Sequence, residues 1–284
     1  MPTYGRDAPL RSWWAAIGED LHVLVLLPPS EGKLAPRRGK PLDLATLSFP
    51  ELTATRDRVV DALTRLASRH PAQALDVLGL SPRQTDEVER DAGLESAPTA
   101  AASVVYTGVL YEALDLGSLD TASRRRAQRM LVVQSALFGA LRPGDRIPAY
   151  RLSGDVSLPG LGPVAALWRD PLSAAMPAAA GRGLVVDLRS GTYAALWRPT
   201  GDVATRTVAV RVLQELPDGS RKVVSHFNKA TKGRLVRHWL ENAVDARDAD
   251  ALADACEAAG VTVELGERPR PGHARRLDVV VTDL

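Results

Sequence analysis

Cysteine is almost absent: Cys256 is the single one in 284 residues. One thiol excludes an internal disulfide framework and any cysteine-cluster metal site, and it suits a reducing cytoplasm. Histidine is equally thin. His22, His70, His226, His238 and His273 are scattered, with no HExxH or other ligand spacing, so neither a metal nor a cofactor is predicted. No apolar run approaches the roughly 20 residues that cross a bilayer. Residues 1–20 lack the apolar stretch of a secretory signal and read as an extension ahead of one domain over residues 21–284.

What is present is an ordinary globular composition, 45% hydrophobic and 25% charged, with an uneven distribution of charge. The net charge is only +2, yet Arg124, Arg125, Arg126, Arg129, Arg142, Arg146 and Arg151 face a single acid, Asp145, within residues 124–151. Arg221, Lys222, Lys229, Lys232, Arg234 and Arg237 face none within 221–238. The remainder is therefore acidic. A basic region on such a body is a footprint for a polyanion or phosphate, or else two solvated faces.

Apolar patterning gives a mixed α/β class, a single compact domain. The run "LHVLVLLPP" predicts a buried strand, and the spacing of Leu52, Val59, Val60, Leu63 and Leu66 predicts a helix from Ser48 to Arg69. Ser81 and Pro82 are expected to cap and start the next helix. This corner lacks the second glycine of a helix-hairpin-helix. Residues 98–108 read as strand-like, 121–138 as one long helix, and 203–213 with "PDGS" as a hairpin, after which Asn228 caps a helix. "GLVVDL", "VTVEL" and "LDVVVT" supply further strands, and Trp168, Trp197 and Trp239 are expected in the core.

Five polar clusters each follow an apolar element and are fixed by glycine or proline: "PPSEGK", "YTGVLY", "FGALRPGDRIPAYR", "DLRSGTYAALW" and "HFNKATKGR". Strand ends are where α/β folds build sites. Lys33 sits on a glycine turn as a phosphate-facing lysine would, without the G-x-x-x-x-G-K-[ST] spacing of a P-loop. With Ser30, Arg142, Arg146, Arg151, Arg189, Ser190 and Lys232 it forms the candidate ligand-binding set. Tyr106, Tyr111, Tyr150 and Tyr193 could stack on bases or pack in the core. Glu31, Asp145, Asp187 and Lys229 are the candidate catalytic groups.

The order of these motifs resembles the YaaA peroxide-stress family, once a domain of unknown function. "SALFGALRPGDRIPAYRL" matches its Ser-Gly-Leu-Tyr-Gly-x-Leu-Arg-Pro-x-Asp…Pro-Tyr-Arg-Leu signature, "YTGVLY" its aromatic-x-Gly-x-x-Tyr element, and "HFNKATKGR" its Lys/Arg-rich element. "PPSEGK", the inserted Ala149 and Ser153 depart from the enterobacterial branch. The resemblance implies an unusual α/β topology with a positively charged cleft, in cytoplasmic proteins that bind duplex or distorted DNA and limit oxidative damage. Two readings stand: a protein that binds DNA or a nucleotide-like anion, and an enzyme acting on a nucleotide, nucleoside or nucleobase. Both need Lys33, Arg142, Arg189 and Lys229 to surround one hollow.

Overall fold

The computed structural model describes residues 23–223 and 225–281, and the side chains of 225–227 lie outside that description. Its centre is β1 (Val23–Leu27), all five residues of which are buried. Such a strand needs apolar cover on both faces, the mark of a parallel sheet. β1 pairs in parallel with β2 (Leu131–Ser135) on one side and β4 (Leu184–Asp187) on the other. Beyond β4 follow β5 (Thr207–Glu215) and β8 (Arg275–Val281), both parallel. Antiparallel strands close the edges: β3 (Gly139–Leu141) beside β2, and β7 (Thr262–Leu265) beside β8. β6 (Arg221–Lys222) pairs with β5. The sheet thus runs β7-β8-β5-β4-β1-β2-β3.

Helix α1 (Thr53–Arg69) packs with α2 (Pro71–Val77), α3 (Thr85–Ala92) and α6 (Val164–Ala180), and α6 lies on β1 and β3. A second group joins α4 (Val109–Leu114), α5 (Thr121–Met130) and α7 (Ser225–Glu241), while α8 (Ala249–Ala258) covers β7 and β8. Asp120 starts α5 by accepting from the Ser123 N–H at 2.6 Å. Trp168, Trp197 and Trp239 are core residues.

Four expectations are corrected. The predicted long helix over 121–138 ends at Met130, and Leu131–Ser135 is a strand, because a short, fully buried apolar run lacks a helix's one polar face. Ser81 does not cap a helix. Its N–H and hydroxyl both bond the Gln84 side chain, and α3 begins at Thr85. Residues 98–108 hold a two-residue strand and a helical turn at Ala102–Val105, not an extended strand. Asn228 lies inside α7, which begins at Ser225.

Candidate functional site

Chain order across the sheet points to the site. β1 leads to β2 on one side, whereas β4 leads to β5 on the other, so loops leaving the carboxyl ends of β1 and β4 diverge and leave a crevice. The loop after β1 is Pro28–Lys33, and after β4 it is Leu188–Ser190. The Leu188 N–H donates to the Leu26 carbonyl at 3.0 Å and holds the two exits together.

Residues 30–34 are pinned against 105–107. Thr107 N–H donates to Gly32 O at 3.2 Å, and Leu34 N–H to Val105 O at 2.9 Å. A Cβ at Gly32 would stand 3.3 Å from Thr107 Oγ1, so the turn is tight. Lys33 Nζ is thereby brought 4.3 Å from the centre of the Tyr150 ring and 5.8 Å from that of Tyr106. It donates to Ser30 O at 2.7 Å and Glu31 O at 3.3 Å. Burial pulls its pKa down to about 8, assisted by the Arg151 charge.

Below the ammonium lies a hydroxyl chain. Ser135 Oγ, at the carboxyl end of β2, is 2.7 Å from Tyr150 OH, which is 2.9 Å from Tyr106 OH. Tyr106 stacks on Tyr111 with centroids 5.5 Å apart, and Tyr111 OH donates to Pro28 O at 2.6 Å. Tyr106 and Tyr150 are 2% and 1% exposed, so their faces serve packing and are closed to a stacked base. Tyr193 is half-buried in the same crevice, and burial lifts its pKa to about 12. Arg151 reaches the exposed Glu31 at 3.6 Å, and its N–H donates to Asp91 Oδ1 at 2.8 Å.

On the β4 side, Arg189 bonds both oxygens of Asp187, at 2.8 and 2.6 Å, and also Trp197 O at 2.8 Å and the Gln134 carbonyl oxygen. Lys232, from α7, donates to Leu188 O at 2.9 Å, and burial lowers its pKa to about 8. Lys229 is exposed one turn earlier on α7, and Ser190 is exposed beside Arg189. His226 lies among the side chains outside the description.

Three expected members stand elsewhere. β3 runs antiparallel to β2, so the loop after it returns to the opposite edge of the sheet. There Arg142 Nη1 donates to Arg129 O at 2.6 Å and Leu131 O at 3.1 Å. Leu131 is four residues from Ser135 along β2, about 13 Å at strand rise. Asp145 is consumed in bracing this turn. It accepts from Ser48 N–H at 3.0 Å, Ser48 Oγ–H at 2.8 Å and Arg142 N–H at 2.8 Å. Arg146 is exposed and donates to Thr99 O at 2.6 Å. Lys33 and the Arg189–Lys232 pair therefore stand past the carboxyl ends of β1 and β4, and Arg142 does not.

The sequence reading missed Asp91, Gln134 and Ser135. Asp91 Oδ2 and Gln134 Nε2 are buried without a hydrogen-bond partner among the described residues, and burial raises the Asp91 pKa to about 8. Asp91 was hidden in a charged stretch, "DEVERDAG", that looks solvated throughout. Ser135 carried one signal, its place at the end of an apolar run.

A family model described as "peroxide stress protein YaaA" matches residues 23–263. A UPF0246 protein of Streptomyces coelicolor is 50% identical over 262 residues, covering 92% of this chain and all of the relative. One of Corynebacterium efficiens is 43% identical over 263 residues, with 91% and 100% coverage. A more distant one, of Shewanella piezotolerans, is 27% identical over 218 residues, with 74% and 83% coverage.

Proposed function

Because the chain belongs to the YaaA peroxide-stress family, we propose that it binds DNA or a nucleotide-like anion in the carboxyl-end crevice and acts in protection against peroxide. The observation that carries this reading is the state of Lys33 and Lys232. Both are desolvated, yet they donate to main-chain carbonyls and have no carboxylate within ion-pair distance among the described residues. A lysine held for stability alone pairs with an acid. These two keep positive charge directed at a crevice where α/β sheets take their ligands. Arg151 adds a third cation, only loosely held by Glu31.

Fluorescence anisotropy with duplex and single-stranded DNA, alongside calorimetry with mononucleotides, tests this. Affinity should fall steeply as salt rises. Lys33→Met and Lys232→Met should each weaken binding roughly tenfold for any sequence, since phosphate contact carries no base information. Neither variant should rescue the peroxide sensitivity of a strain lacking this protein. No binding of either ligand by the wild type would remove the reading.

One observation favours a catalytic variant of the same site. Asp91 and Lys33 both titrate near 8, within the range where one gives and the other takes a proton at working pH. Chemical change of a bound nucleotide, detected by mass and lost in Asp91→Asn while binding persists, would establish it.

A further inference from the structure

One basic stretch leads out of the crevice. Residues 33–40, "KLAPRRGK", carry Lys33, Arg37, Arg38 and Lys40 and no acid. Both ends of this stretch are tied to residues 99–106. At one end Lys33 forms a β-bridge with Tyr106, and Leu34 N–H donates to Val105 O at 2.9 Å. At the other, the N–H and hydroxyl of Thr99 both donate to Lys40 O, at 3.0 and 2.9 Å. A Cβ on Gly39 would fall 2.3 Å from Thr99 O, so glycine is what lets the two chains approach this closely. Pro36 fixes its own φ in the span between the ties. The result is a strap with a braced backbone. The Arg37, Arg38 and Lys40 side chains on it are exposed and make no hydrogen bond or ion pair among the described residues.

An apolar pair on the same two chains is an independent observation. Leu34 is 53% exposed and Val104 50%, two of the three large hydrophobics that are exposed among the described residues. They stand beside the hydrogen bond that joins Leu34 to Val105. Arg146 lies at the far end of the strap. It pairs with Ala101, and its Nη2 donates at 2.6 Å to Thr99 O, the carbonyl that Gly39 approaches. Past Lys40 the sign of the charge reverses. Asp43, Asp57 and Glu95 line a cavity of about 470 Å³ with Leu42 and Leu44. An anion is therefore favoured along the strap and opposed beyond it.

We infer that an unpaired nucleic-acid strand continues from the crevice along residues 34–40 toward Arg146. Arg37, Arg38 and Lys40 take its phosphates, and Leu34 and Val104 take the faces of its bases. This rests on the reading that the crevice takes a nucleotide-like anion. Guanidinium forks match phosphate oxygens in pairs, and a braced backbone leaves less to be ordered on binding. The apolar pair selects the partner. A duplex keeps its base faces stacked inside, and a string of carboxylates has none, so neither uses Leu34 and Val104. Lys33 and Lys40 are seven residues apart. That is at most about 25 Å, so a strand of a few nucleotides reaches from end to end.

The test is anisotropy of the full chain with a labelled single strand of about 12 nucleotides across a range of salt. Calorimetry with deoxyadenosine monophosphate is the arm that reads the crevice alone. For single strands, log affinity falls with log salt by about 0.7 per phosphate contacted. Arg37→Ala/Arg38→Ala/Lys40→Ala should therefore lower the slope by about 2 and weaken strand binding at least tenfold, with mononucleotide affinity unchanged. Leu34→Ser/Val104→Ser should cost about fivefold in strand affinity and leave the slope as it is. Wild-type affinity and slope in the triple variant overturn the proposal and leave the crevice reading intact. So does full strand affinity in Leu34→Ser/Val104→Ser, or an equal loss there for a duplex or poly-glutamate. Absence of wild-type binding to both strand and mononucleotide overturns the two readings together. If the triple variant fails to fold by circular dichroism, Arg38→Ala alone carries the same readout, a slope lowered by about 0.7.

Discussion

The two edges of one sheet treat their charges in opposite ways. At the amino edge Asp145 accepts three hydrogen bonds, and Arg142 donates to two carbonyls while lying 5.4 Å from the Phe49 ring centre. Arg56, 0% exposed, ties this side to the turn between β2 and β3 through Ser48 O, Ala140 O and Phe138 O, and its Nη1 has no partner among the described residues. These groups hold loops to the sheet. At the carboxyl edge Asp91 Oδ2 and Gln134 Nε2 have no partner among the described residues. Burial is comparable at both edges, so burial alone does not distinguish structure from function here. The bookkeeping of hydrogen bonds separates Asp145, whose acceptor sites are filled, from Asp91, although Arg56 also keeps one buried donor without a partner among the described residues.

The largest effect that would break this contrast belongs to the amino edge. Asp145→Ala strips acceptors from Ser48 and Arg142 and leaves the Arg142 guanidinium desolvated with no counter-charge beside it. The expected loss is about 3 kcal/mol in chemical denaturation, with ligand affinity unchanged once folded. An equal loss of affinity in the folded variant would merge the two edges. Next comes Gly233→Ala on α7. A Cβ there would fall 2.3 Å from Leu110 O and 2.8 Å from Ala113 Cβ, so α4 and α7 must separate, at about 2 kcal/mol. Since α7 carries Lys232, affinity should fall with stability in this variant, readable by combining denaturation with anisotropy.

The same contrast explains what could be read in advance. The apolar runs of β1, β4 and β8 are strong signals, and polar residues just past β1 and β4 proved to be neighbours across the sheet. Arg142 and Asp145 also follow an apolar run, and nothing local separates them from Lys33. Their edge is fixed by the hairpin of β2 and β3, which the apparent helix over 121–138 concealed. Whether a strand returns or crosses over is a property of pairing at a distance, and one-dimensional periodicity does not carry it. Tyr150 and Arg151, five and six residues beyond Asp145, come back to the carboxyl edge. The proline-rich segment therefore serves both edges, and its motif looks like one site when it is divided between two.

Lys33→Met sharpens the comparison at smaller cost. The substitution keeps the stem that covers Tyr150 and removes a desolvated charge, so stability at pH 7 should rise, by about 1 kcal/mol, while affinity for nucleotide falls. A group held for folding would lose both together.

The smallest effect is a slope. Asp91 titrates near 8 in the folded chain against 3.8 for an unperturbed carboxyl, so between those values the native state holds a proton that the unfolded chain has released. Stability must therefore decline as pH rises from about 4 to about 8 through this group. Lys33 and Lys232, lowered from 10.5 to about 8, act in the other direction at higher pH, where the native state has already lost protons that the unfolded chain keeps, and stability recovers between about 8 and 10.5. Asp91→Asn should flatten the lower limb and leave the upper one, measured as denaturation midpoints across pH 4 to 10. A lower limb that survives Asp91→Asn unchanged would mean that the carboxyl edge is as well satisfied as the amino edge, and the distinction between them would be lost.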